Sequence, residues 1–238
     1  MALRTLFLFE DRLPADSPPV YLPRGDRAVY VRSGSVDFVF DTSSQFLLEH
    51  GGTTSADELT LVAGAQDTVL WRWELAADGE STEESYLLRS APGAVTELKL
   101  TMTCELDDRY TWLMRLDTVT FPPGGIALTH LHQGPGIRIV RNGEITIETE
   151  NTESTYRAGQ AWAEKGVLPV YAPTTEDGPT TFVRCFVLPK QNKGASSIRI
   201  VHPQDRGEPN TQSYRILSER IMIGTAAPER TNRLFGPQ

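Results

Sequence analysis

His130 and His132 are two of the four histidines in the chain, and they stand two residues apart within the stretch 121–136. On a β-strand that spacing puts both imidazoles on one face, where they can chelate one metal ion. A bare pair of this kind is also satisfied by hydrogen bonds with no ion present, and the two residues alone leave both readings open. Their surroundings favour a built site. Gly124 and Gly125 precede the pair, and an Asn142-Gly143 turn follows between Ile137-Arg138-Ile139-Val140 and Ile145-Thr146-Ile147. Two apolar runs joined by Asn-Gly read as a β-hairpin.

The elements that must position the pair are strands. Short runs of Val, Ile, Thr, Tyr and Phe, punctuated by Gly, Pro, Asn and Asp, predict strands at 28–31, 36–40, 68–75, 85–88, 97–106, 111–120, 137–140, 145–150, 181–188 and 198–201, with no long helical period. The fold class is all-β, a barrel or sandwich. The halves also echo each other. The stretch 28–36 matches 137–145 in pattern and turn position, Ala63-Gly64-Ala65 echoes Ala158-Gly159-Gln160, and Trp71-Arg72-Trp73 echoes Val183-Arg184-Cys185. Three matches in one order indicate a duplicated unit dividing near Asp117, with domains at 1–117 and 118–238. The first half lacks a His-x-His, and its one histidine, His50, falls in a loop. That half reads as structural. Residues 203–213 read as a loop leading to a C-terminal segment that packs on the barrel or on a partner subunit.

The segment from Gly124 to Gly143 resembles the first motif of the cupin superfamily: a glycine, five residues, His-x-His, an acidic ligand and a later glycine. Gly124, His130, His132 and Gly143 match, while Gly136 stands where the family has its glutamate. The counterpart of the second motif is Gly159 followed by 164–169, with Pro169 at the histidine position. The resemblance implies two jelly-roll barrels, a bicupin, with a metal site in the second. Only half of the usual three-histidine, one-glutamate set remains. Glu164 is the acidic residue nearest in family position, and it would complete a set of two histidines and one carboxylate. Such a set suits iron(II), with manganese, nickel or zinc as alternatives. Glu164 beside Lys165-Gly166 is equally a carboxylate of a solvated turn.

If position 136 faces inward, as the family's ligand does, strand alternation turns Arg138 inward too. A buried guanidinium must meet a carboxylate, either of a substrate or of a protein group such as Glu164. Val29 stands at the equivalent place in the first half. Gln133 follows the histidine pair and reads either as a contact to substrate or a ligating histidine, or as a turn amide. Trp162, Tyr171 and Phe182 read as pocket walls or core, and Trp71, Trp73 and Trp112 as core or inter-barrel residues. Together these imply a metal-dependent dioxygenase acting on a small anionic organic molecule, with Arg138 pairing its charge. Isomerase or lyase chemistry is the nearest alternative, and a metal-free ligand-binding or structural bicupin is the alternative from another class.

Composition bounds the rest. At 238 residues the chain holds one large β domain or two smaller ones. No apolar stretch approaches the roughly 20 residues that span a bilayer, so no membrane association is expected. The first twelve residues end an apolar run in acids and carry no small-residue cleavage site, which predicts a cytoplasmic protein. A net charge of −8 argues against a nucleic-acid partner. Residues 1–118 hold 20 acids and 10 bases, whereas residues 119–238 hold 11 acids and 13 bases, so the half with the histidine pair is the one suited to an anion. Cys104 and Cys185 lie in apolar runs and read as buried free thiols. A homodimer or a bicupin monomer is expected from the resemblance.

Overall fold

Alternation of apolar with polar side chains drives formation of the outer strands, and the computed structural model, which describes residues 2–77, 86, 88 and 91–222, contains no α-helix among them. Its strands form four antiparallel sheets. The first sheet runs β6 (Gly52–Ser55), β3 (Asp26–Ser33), β8 (Thr68–Ala77), β1 (Ala2–Leu13) and β9 (Val95–Leu106). It is faced by β2 (Val20–Leu22), β7 (Leu59–Ala63), β4 (Ser35–Val39) and β5 (Ser44–Leu48). The second half repeats this plan with β15 (Ala161–Glu164), β12 (Gly136–Asn142), β17 (Thr180–Pro189), β10 (Trp112–Phe121) and β19 (Ser213–Met222). Its facing sheet runs β14 (Thr152–Arg157), β13 (Glu144–Thr149), β16 (Val170–Pro173), β11 (Ile126–His132) and β18 (Ile198–Ile200). The sheets containing β8 and β17 correspond strand for strand, and the facing sheets correspond except for β18, which has no counterpart in the first half, so the plan is that of a duplicated jelly roll.

The two barrels pack back to back through their five-stranded sheets. Trp71, Trp73, Leu6 and Leu8 from one meet Ile137, Ile139, Val183 and Met114 from the other in a single buried cluster. Each central strand is therefore buried on both faces: along β8 and β17 one face lines a barrel and the other the seam. Strands of this kind read as continuous apolar runs rather than alternating ones. Trp71 and Trp73 are seam residues, and Trp112 packs against the same cluster. Cys104 and Cys185 are buried there as free thiols.

Of the three internal matches, two coincide with the structure. The turns at Gly34 and Gly143 share a φ of +80°, which favours glycine. Each is tied by a threonine: Thr68 Oγ1 donates to Ser35 O and Thr180 Oγ1 donates to Glu144 O. Val29 pairs with Arg72 as Arg138 pairs with Arg184, so Trp71-Arg72-Trp73 and Val183-Arg184-Cys185 are equivalent. The third match is corrected. Gly159 donates its N–H to Val140 O as His50 does to Val31 O, so the counterpart of Gly159 is His50 and not Gly64.

The expected strand at 85–88 lies outside the described residues except for Tyr86 and Leu88. Asp117, around which the sequence divides, sits inside β10, and the chain crosses from the first pair of sheets to the second over 107–111. The C-terminal segment packs on its own barrel, where β19 pairs with β10 from Ser213 to Met222. None of the described helical turns is long and apolar enough to cross a membrane.

Candidate functional site

Inside the second barrel the inward faces of β10, β12, β15 and β17 supply charge, and the facing sheet supplies the histidines. Strand alternation turns His130 and His132 inward at the end of β11, where both are buried. Their Nε2 atoms lie 3.2 Å apart. His130 Nδ1 contacts Leu128 O at 2.7 Å, so this nitrogen carries the proton and Nε2 presents a lone pair to the barrel. His132 Nδ1 lies 3.3 Å from Ser197 Oγ. Burial holds His132 well below the usual histidine range, helped by the Arg138 and Arg184 charges. Burial also lowers His130, against the opposing charge of Glu164. Both imidazoles are thus neutral at neutral pH, the form that binds metals.

Gly136 faces inward as expected, but no carboxylate fits there. A Cβ at this position would overlap the carbonyl oxygen of Cys185 and come within 2.9 Å of Phe186 Cδ1. The carboxylate arrives from the next strand instead, because Glu164 of β15 is the register partner of Gly136. Trp162 Nε1 donates to Glu164 Oε1 at 2.8 Å, while Oε2 lies 3.7 Å from His132 Nε2.

Arg138 also points inward, and of its two possible partners the structure realises the protein one. Its Nη2 stands 2.8 Å from Glu164 Oε2, and Nη1 donates to Gly136 O at 2.6 Å. Yet Nη2 and Oε2 are both buried without a completed hydrogen bond. The two charges are close, but the N–H bonds miss the oxygen, and an ion pair so placed gains little of what a bidentate fork provides. Burial draws the Arg138 guanidinium down to about 10, against the opposing pull of Glu164.

Arg184 and Asp117 form the neighbouring pair. Nε meets Oδ1 at 2.6 Å and Nη2 meets Oδ2 at 3.2 Å, both buried. The Phe186 ring lies between the guanidinium carbons of Arg184 and Arg138, 4.5 Å and 4.7 Å from its centroid. Part of the sequence signal for this pair was available: Arg184 is the lone charge in its apolar strand run, whereas Asp117 shares its run with Arg115.

A narrow cavity lies among these groups. Val119, Phe121, Ile145, Ile147, Trp162 and Phe182 are its apolar walls, and His130, His132, Arg138, Glu164, Arg184 and Gln212 its polar lining. Trp162 and Phe182 line it as expected, while Tyr171 does not. Gln133 is also corrected: it is absent from the lining, because alternation past His132 turns it to the other face. The structure thus brings together His130, His132, Glu164 and Arg138, and leaves Gln133 out.

These residues can be tested against a metal ion. Two donors about 2.1 Å from one ion are about 3.0–3.4 Å apart at octahedral or tetrahedral angles, and the Nε2 separation falls in that window. The carboxylate oxygen without a hydrogen bond faces the same space. Among the described residues, however, no group of three or more His, Cys, Asp or Glu side chains is placed so that it could hold a metal ion. The imidazole separation suits an ion, while Glu164 Oε2 stands against Arg138 rather than beside both histidines.

No protein-family model and no curated protein matches the sequence. Solved structures do match. AerE from Microcystis aeruginosa aligns with a TM-score of 0.54 at 12% identity, over 76% of this chain and 87% of that one. A deletion variant of the Bacillus subtilis oxalate decarboxylase OxdC aligns with a TM-score of 0.57 at 12% identity, over 85% of this chain and 73% of that one. The same enzyme at pH 4.6 aligns at 0.52 and 12% identity, covering 78% and 68%. Likeness at this level shows the fold, and the fold is a duplicated cupin barrel.

Proposed function

We propose that the second barrel is the site of a metal-dependent enzyme acting on a small anionic organic molecule, with His130, His132 and Glu164 holding a divalent ion. The observation that carries this reading is the pair of neutral Nε2 atoms 3.2 Å apart beside a buried carboxylate oxygen that completes no hydrogen bond. A bound ion would supply Lewis acidity and open positions for substrate and dioxygen, with iron(II) the first candidate and manganese, nickel or zinc next. Oxygen-dependent cleavage is the reaction class we propose.

The chain's own residues do the rest. Ser197 and the Leu128 carbonyl orient the two rings. Trp162 fixes one carboxylate oxygen of Glu164 and leaves the other toward the cavity. Arg138 meets the anionic group of the substrate, and the apolar walls keep water from competing with these contacts. The oxalate decarboxylase of similar fold acts, by its name, on a small carboxylate, the class proposed here.

A metal-free binding site is the second reading, favoured by the direct contact between the two imidazoles, which one shared N–H would satisfy. Metal analysis of protein purified without an affinity tag separates the two. We expect one divalent ion per chain, lost in a His130→Ala, His132→Ala variant. Wild-type protein that contains no metal and takes up none on titration with iron(II), manganese or zinc would refute the enzyme reading.

A further inference from the structure

Glu164 Oε2 faces two competing claims. On one side is the Arg138 guanidinium at 2.8 Å, and on the other the His130–His132 pair, with His132 Nε2 at 3.7 Å. Neither claim is fully met. Arg138 Nη2 and Glu164 Oε2 are buried and each lacks a hydrogen bond. A buried donor without an acceptor is costly, and its persistence calls for an explanation such as a missing ligand. The other anchor points of both side chains are fixed: Arg138 Nη1 on Gly136 O, Glu164 Oε1 on Trp162 Nε1. Only the facing atoms have freedom to change partner.

We propose that Arg138 is a latch on Glu164, which the carboxylate of an incoming substrate draws away, so that Glu164 Oε2 is released to the cation on His130 and His132. This rests on the metal reading given above. A substrate carboxylate offers Arg138 Nη2 the aligned acceptor that Glu164 does not, because it can rotate into the plane of the guanidinium fork. Once Arg138 is engaged elsewhere, the carboxylate that it neutralised needs a new positive partner, and the histidine-bound ion is the nearest. Anion and metal must then bind with positive coupling, and by linkage each tightens the other by the same factor. Without substrate the ion would be held by two imidazoles and less tightly than with it, so the complete three-ligand site assembles only when both are present.

The test uses untagged full-length protein freed of metal by chelation. Manganese(II) is titrated with and without propionate, a monocarboxylate that binds the ion weakly in water, against chloride at equal ionic strength. Propionate is expected to tighten manganese binding about tenfold, within the usual range of coupling between two sites. Arg138→Gln should bind manganese about tenfold more tightly than wild type without propionate and should ignore propionate. In the reverse direction, Glu164→Gln leaves Arg138 unlatched, and the metal-free variant should bind propionate more tightly than wild type by NMR titration. This arm stands even where Arg138→Gln fails to fold. Manganese affinity indifferent to propionate in wild type, or Glu164→Gln no better than wild type for propionate, overturns the latch. If the metal binds, and is lost on replacing both histidines, but shows no coupling, the latch alone falls. If no metal binds to wild type or to Arg138→Gln, the metal reading falls with it.

Discussion

Gly136 is the position where the cupin resemblance and the structure disagree most sharply, and a single methyl group tests which is right. Gly136→Ala would place a Cβ over the carbonyl oxygen of Cys185, 2.9 Å from Phe186 Cδ1 and 3.2 Å from Phe186 Cα. Two of these three atoms are backbone of β17, hydrogen-bonded in the centre of its sheet, so rotating a side chain does not relieve the contact. Overpacking of this kind costs about 1–3 kcal/mol. In the other direction, replacing a strand glycine gains about 0.5–1 kcal/mol from the unfolded chain. Because the contacts involve backbone, the steric cost wins, and we expect a net loss of about 1–2 kcal/mol, or roughly 2–8 °C in melting temperature for a chain of this size. Gly178→Ala is the control, since a Cβ there meets nothing within 4 Å. Urea denaturation of both variants supplies the measurement. A Gly136→Ala protein as stable as wild type would refute the packing argument, and with it the claim that Phe186 and the Cys185 carbonyl exclude a carboxylate ligand from this position.

Two further outcomes follow from the buried charges and thiols. Asp117→Asn leaves the buried Arg184 without its carboxylate and should cost about 3–5 kcal/mol; a calorimetric loss below about 1 kcal/mol would contradict the pairing as drawn. Burial pushes the Cys104 thiol up to about 12 and raises Cys185 as well. The folded protein therefore keeps protons that the unfolded chain releases above about pH 9, and each thiol contributes stability that is present below that pH and lost as pH rises, by about 1.4 kcal/mol per pH unit. Denaturation at pH 8 and pH 10 should show wild type losing more stability than Cys104→Ala; equal losses would mean that the thiol is not buried.

What the sequence revealed and what it hid have physical causes. The His130–His132 pair, the Asn142-Gly143 turn and the inward aim of Arg138 all follow from strand alternation, which acts within a few residues, and each stands where it was expected. The ion pair between Arg138 and Glu164 was legible as one of two options, since a buried guanidinium needs a carboxylate and Glu164 lies on the neighbouring strand. The N-terminal strand β1 was hidden because residues 6–11 are buried on both faces and show no alternation. The irregular strand β11 was hidden by a register break between Ala127 and His130. Aligning Gly159 with Gly64 failed for another reason. The left-handed position after β14 is filled by glycine in the second half, with φ +80°, but by His50 in the first, with φ +69°. Histidine tolerates that conformation better than a branched residue does, so matching glycine to glycine selects the wrong turn.

The first barrel shows the same scaffold with its inward charges paired differently. Arg27 and Glu74 occupy the places that Gly136 and Phe186 hold in the other half, and Arg72 with Asp11 repeats the Arg184–Asp117 pair at 2.6 Å. Every side-chain nitrogen of Arg27 and Arg72 donates. Arg27 reaches Glu74, Asp57 O and Pro23 O, and Arg72 reaches Asp11, Glu74 and Tyr86 O. Both guanidiniums are fully engaged there and offer an incoming ligand no free nitrogen, although Glu74 Oε2 is itself buried without a hydrogen bond. In the second barrel the same scaffold keeps one ion pair bonded through two nitrogens, Arg184 with Asp117, and leaves the adjacent one, Arg138 with Glu164, in contact but unbonded at the facing atoms. An unsatisfied buried donor and acceptor each cost about 1–3 kcal/mol, and where the first barrel leaves one acceptor, Glu74 Oε2, without a bond, the second leaves a facing donor and acceptor. The second barrel carries that cost next to a histidine pair and a cavity, where a carboxylate and a cation would remove it together.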